Sequence, residues 1–110
     1  MNDAPVLFIA RYDARPGTDA SEGWDAVMVC AAFERRTTVL LLDNAVALLS
    51  GANGAALATA MEAGVAALCV EAAALVARAM PAPGVELRCQ LLDHSAIRAL
   101  IAAHPVVISI

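Results

Sequence analysis

The stretch Thr37-Thr38-Val39-Leu40-Leu41-Leu42 decides the fold class. It is β-branched at its start and apolar throughout. A strand with one wet face alternates polar and apolar residues, whereas an unbroken apolar run belongs to a strand covered on both faces, as in parallel sheets. Asp43-Asn44 follows at once, then a short helical piece to Leu49 and a Ser50-Gly51 stop. Towards the N-terminus, Val6 to Ala10 is a second buried strand. Between the two lie a polar loop, Arg11 to Thr18 with Pro16-Gly17, and a helix. Asp19 is placed to cap that helix, with Glu22 as its capping-box partner. Trp24, Val27, Met28 and Ala31 recur at helical spacing, and Glu34-Arg35-Arg36 brings basic charge to the helix end, where the macrodipole favours it.

Towards the C-terminus, Gly51-Ala52-Asn53-Gly54 reads as a turn and Gly54 to Met61 as a helix punctuated by Gly64. Val65 to Val70 is a third strand and Glu71 to Met80 a helix, stopped by Pro81-Ala82-Pro83-Gly84. Val85, Leu87, Cys89 and Leu91 alternate with Glu86, Arg88 and Gln90, the pattern of a half-exposed strand at or near a sheet edge. Asp93-His94-Ser95 suits a helix start, Ile97, Leu100 and Ile101 form an apolar stripe, Pro105 breaks the helix, and Val106 to Ile110 is a final strand. The order βαβαβαβαβ with short connections implies one domain over residues 1–110, a parallel, right-handed, three-layer α/β/α sheet. Ligand chemistry in such folds gathers at the carboxyl ends of the strands, here Arg11–Thr18, Asp43–Val46, Cys69–Glu71 and Asp93–Ser95.

Composition narrows the function. With 110 residues the chain fits a single compact domain. Hydrophobic residues are 61% and charged residues 16%, so disorder is excluded, and the apolar excess suggests surface covered by other subunits. The net charge is −4, and every basic residue is arginine. Such an acidic body gives nucleic-acid binding no electrostatic support. The longest uncharged run, Asn44 to Met61, is broken by Asn, Ser, Gly and Thr and makes a poor membrane span. The first residues lack the basic start of a signal peptide. Three cysteines, an odd number, fit reduced thiols in the cytoplasm.

Cys69 is the principal candidate for chemistry. At a strand end and helix start, its thiol would feel the free amides and the dipole, which favour thiolate, the nucleophile of sulfur transfer. The competing reading is a small hydrophobe filling an alanine-rich interior, and Glu71 nearby opposes ionisation. His94 could approach Cys69 and assist it, or could belong to a capping cluster with Asp93 and Ser95. Cys30 and Cys89 read as packing, without C-x-x-C spacing for zinc. Cys69 and Cys89 could lie on adjacent strands, but a disulfide is not expected in a reducing compartment. His104 reads as a boundary residue. Gly51 to Gly54 lacks the Lys-Ser/Thr of a phosphate loop. Asp13, Asp19 and Glu22 fit a solvated loop and a cap better than a metal site, and Trp24 reads as core. No cofactor is implied.

A family resemblance rests on specific segments. Ser21-Glu22-Gly23-Trp24-Asp25-Ala26, then Thr38-Val39-Leu40-Leu41-Leu42-Asp43-Asn44-Ala45-Val46 with Leu48-Leu49, resembles the DsrE/DsrF/DsrH group, closest to its DsrF/TusC branch. Gly64 to Met80 looks like the third strand and following helix of that family, with Cys69-Val70-Glu71 where sulfur-carrying members hold their cysteine. Leu100 to Ile110 resembles the family's closing helix and strand. Three positions depart from the pattern: Ala45 and Ala79 stand where glycine is usual, and Glu71 stands where some relatives have a second cysteine or a small residue.

The resemblance implies a five-stranded parallel sheet of flavodoxin/Rossmann-like type. It also implies cytoplasmic self-association as dimer, trimer or hexamer, or assembly with related DsrE/DsrH-type subunits. The activity it implies is sulfur relay between donor and acceptor proteins, a sulfurtransferase role in which Cys69 carries persulfide, Arg78 stabilises the anion and His94 assists. The alternatives are a non-catalytic subunit of such an assembly and a small-molecule-binding α/β protein.

Overall fold

The computed structural model describes residues 4–11, 20–33, 35–49, 51–81 and 88–110, without the side chains of 20–24 and 51–56. The elements are β1 (Val6–Ala10), α1 (Ala20–Ala32), β2 (Thr37–Leu41), a 3-10 segment (Asp43–Leu49), α2 (Gly51–Glu62), β3 (Ala67–Glu71), α3 (Ala72–Ala77), β4 (Cys89–Leu92), α4 (His94–Ala102) and β5 (Val106–Ser109). The five strands form one sheet in the order β4-β3-β2-β1-β5, and every pairing is parallel. β1 and β2, the two unbroken apolar runs, lie inside the sheet, and β4 lies at an edge, as the sequence patterns predict.

Strand order and handedness together decide which face each helix covers. From β1 to β4 every step moves the same way across the sheet, so right-handed crossovers put all those connections on one face. The last connection, α4, runs back from the β4 edge to the β5 edge and falls on the other face. The packing agrees. Val6, Phe8, Val39, Leu41, Leu68 and Val70 face α1, the 3-10 segment, α2 and α3 in the larger core. Leu7, Ile9, Leu40 and Cys69 face the other way and pack with Ile97 of α4. The molecule is three-layered, with unequal outer layers.

Several boundaries differ from the sequence reading. Gly51 to Gly54 is the first turn of α2 rather than a separate turn, because the burial of Leu57 and Ala60 outweighs the low helix propensity of two glycines. β3 runs Ala67–Glu71: the Val65 amide still bonds back to Ala60, and Glu71 is drawn into the sheet opposite Leu92. α1 ends at Ala32, so Arg35 and Arg36 lie beyond it, and Arg35 Nε donates instead to the Ala4 carbonyl beside β1. Leu91, expected on the covered face of β4, is exposed, as an edge strand has a neighbour on one side only. Asp13, Asp19 and the Trp24 and Glu22 side chains, with the cap and metal readings placed on them, lie outside what is described.

α2 and α3 end alike. In α2 the Gly64 amide bonds the Met61 carbonyl and the Val65 amide the Ala60 carbonyl; in α3 the Ala79 amide bonds Val76 and the Met80 amide bonds Leu75. Both are Schellman closures, whose penultimate residue takes a left-handed conformation. Gly64 supplies it at φ 121°, while Ala79 adopts φ 51° with a side chain in place.

Candidate functional site

The carboxyl ends of β2, β3 and β4 converge on Glu71. As the last residue of β3 it shares a sheet face with Cys69, and its side chain is mostly buried. One carboxylate oxygen, Oε1, accepts the Asp43 amide at 3.0 Å. The other, Oε2, lies 3.4 Å from Nε2 of His94, at the start of α4. Asp43 is held at φ 48°, an uncommon conformation for a residue with a side chain, so the carboxylate fixes a strained turn. Next to it, Asn44 Oδ1 accepts from Arg78 Nη2 at 2.7 Å, and Arg78 Nη1 donates to the Ala74 carbonyl at 3.2 Å. Three strand-end loops are thus tied into one polar rim.

The sequence candidates fall on this rim or under it. Arg78 and His94 are both on the rim, but their partners are Asn44, Ala74 and Glu71 rather than the Cys69 sulfur. Asp93 caps α4 as expected, Oδ1 accepting the Ala96 amide at 2.8 Å. Cys69 does not sit at a helix start. It is the third residue of β3, two positions before the strand ends, paired in register with Leu40 and Gln90. It is 2% exposed, among Leu7, Ile9, Leu40 and Ile97. Burial pushes its thiol above the usual 9.0, with a smaller push from Cys89.

The other thiols are packing residues. Cys30 and Cys89 are half-buried against the larger core, and burial likewise raises Cys89. Cys69 and Cys89 are on adjacent strands but on opposite faces, and all three cysteines are free. His104 Nδ1 donates to the Leu100 carbonyl at 2.7 Å, a boundary contact. Among the described residues no group of three or more His, Cys, Asp or Glu could hold a metal ion, and no helix is long and apolar enough to cross a membrane. The role of Glu71 as the hub was missed by sequence reasoning, which read it only as a neighbour of the thiol. Its position as the last residue of an otherwise apolar strand was the available signal.

The whole architecture has a solved counterpart. A crystal structure of the YchN protein from E. coli superposes with a TM-score of 0.74, covering 97% of this chain and 99% of that one, at 11% sequence identity. The fold is DsrE-like. No protein-family model matches the chain, and no curated protein matches its sequence. At 11% identity the likeness carries the DsrE-like fold, not the branch, and not a residue of the site.

Proposed function

We propose that this chain is a subunit of a sulfur-relay-type assembly built on the DsrE-like fold, acting through its surface and not as the persulfide carrier. The observation that supports this is the state of Cys69. A sulfur carrier must be reached by donor and acceptor proteins, and its thiol must ionise to attack. Cys69 is closed off beneath Ile97, and burial disfavours its thiolate. Arg78 and His94, the groups that would stabilise a persulfide anion and assist its transfer, are engaged with Asn44 and Glu71.

Exposed apolar side chains support a choice of partners. Val29 on α1 and Phe33, four residues on and just past the end of α1, are 56% and 81% exposed, and Val76 on α3 is 79% exposed. Together with the 61% hydrophobic composition, these favour self-association or assembly with DsrE/DsrH-type subunits that carry the reactive cysteine. The setting is the cytoplasm, where three free thiols stay reduced. Light scattering and native mass spectrometry test the assembly: wild type and Cys69→Ser form the same oligomer at micromolar concentration, and Phe33→Asp weakens it. A monomer in the absence of partners, with no subunit retained from its own cell extract, overturns the reading.

A further inference from the structure

The two faces of the sheet differ in how firmly they are held. Among the described residues, seventeen buried ones form the core on the face covered by α1, the 3-10 segment, α2 and α3. Only five form the core on the other, and among the described residues α4 is the one helix that covers it. α4 contributes a single buried side chain, Ile97, with Leu100 half-buried beside it, while Arg98, Ala99, Ile101 and Ala102 are exposed. Beneath it Leu7, Ile9, Leu40 and Cys69 are almost completely excluded from water.

The attachments of α4 at its N-terminal end are polar and lie at the surface. Its Asp93 cap is local to the helix itself. The tie to the sheet is the Glu71–His94 pair, and its two partners are not equivalent. Glu71 is pinned on the sheet side by the Asp43 amide, whereas His94 rides on the helix with most of its ring in solvent. At the other end, Ala103 to Pro105 leads into β5, which pairs only with β1. Elements with few buried contacts and solvent-exposed ties open at lower free energy than the rest of a protein.

We propose that α4 is a lid: it lifts as a local unit from the sheet, with Ile97 as its anchor and Glu71–His94 as its latch, and uncovers the face that carries Cys69 while the larger core stays folded. Asp93 and the Ala103–Pro105 segment flank the moving helix and absorb the change. The inference goes beyond the proposed function, which concerns the closed state.

The experiment is alkylation of the native protein with excess iodoacetamide across urea concentrations below the unfolding transition, each cysteine followed by peptide mass spectrometry. Cys69 in the closed state labels slower than the unfolded chain by about a hundredfold or more. If α4 opens locally, that protection is nearly independent of urea, because little surface is exposed in the opening. His94→Gln then speeds Cys69 labelling by about 1.5- to 5-fold, and Ile97→Val by about 2- to 10-fold. Cys30 and Cys89, half-buried on the other face, keep their rates in both variants. Protection that falls with urea as steeply as global stability overturns the lid and leaves the closed Cys69 standing. Absence of protection overturns both.

Discussion

Ala79 and Gly64 occupy the same position in two copies of one helix ending, and exchanging their residues tests the fold's local physics. Ala79→Gly removes an exposed methyl from a left-handed residue at φ 51°. The left-handed conformation costs alanine about 1–2 kcal/mol. Glycine gives back about 0.5–1 kcal/mol through the greater freedom of its unfolded chain. The net is a stabilisation of about 0.5–1 kcal/mol, a rise of about 2–4 °C in Tm for a domain of this size. Gly64→Ala runs the other way and further: φ is 121°, and the new Cβ would stand 3.2 Å from the Ala31 carbonyl oxygen of α1. The backbone cost joins a contact with a rigid partner, and the loss is about 1–2 kcal/mol or more. Urea and thermal melts by circular dichroism measure both at unchanged m-value. A lower stability for Ala79→Gly, or a neutral Gly64→Ala, would refute the assignment of both endings as Schellman closures.

Three further outcomes follow from the site and its cover. Asp93→Ala removes the cap of α4 and lowers stability by about 1 kcal/mol, read by urea melts, while Asp93→Asn retains most of it. Ile97→Ala empties the centre of the smaller core and costs about 2–4 kcal/mol in the same assay, the lower end if α4 settles into the space. The raised thiol of Cys69 works against the fold in alkali: its contribution is fully present below the ordinary value of 9.0 and is lost as pH rises from there towards the folded-state value. Wild-type stability therefore falls above about pH 9 more steeply than that of Cys69→Ala, by at most about 1.4 kcal/mol per pH unit for this one group. Parallel pH profiles would show that the thiol titrates alike in folded and unfolded chains.

The sheet was legible because its strands are written in a redundant code. Val6 to Ala10 and Thr37 to Leu41 are apolar on both faces, and only an internal parallel strand has two dry faces. The alternation around Cys89 spoke for an edge, where β4 lies. Element ends were less legible because alanine marks neither helix nor strand. Val65 and Ala66 read as strand until hydrogen bonding assigns Val65 to the helix exit. Gly51 to Gly54 carries turn chemistry, yet the chain pays for a helix there with the burial of Leu57 and Ala60. At the site, the strand-end rule pointed to Asp43, Asn44, Glu71, Asp93 and His94, which the rim joins, whereas Arg78, at the end of α3, entered only through the family resemblance. What the rule could not give is direction. Two residues of register separate Cys69 inside β3 from Glu71 at its tip, and that displacement turns a helix-start thiol into a core residue and a bystander carboxylate into the hub of the rim.

The most direct measurement of the central claim is intact-mass spectrometry of the native protein after brief exposure to a persulfide donor, with Cys69→Ser alongside. With α4 closed for nearly all of that time, Cys69 gains no detectable sulfur during the brief exposure, wild type and variant show the same mass shift on treatment, and an adduct on Cys69 accumulates readily only after denaturation. A sulfur adduct on the native wild type that Cys69→Ser lacks would make this chain a carrier and contradict the account.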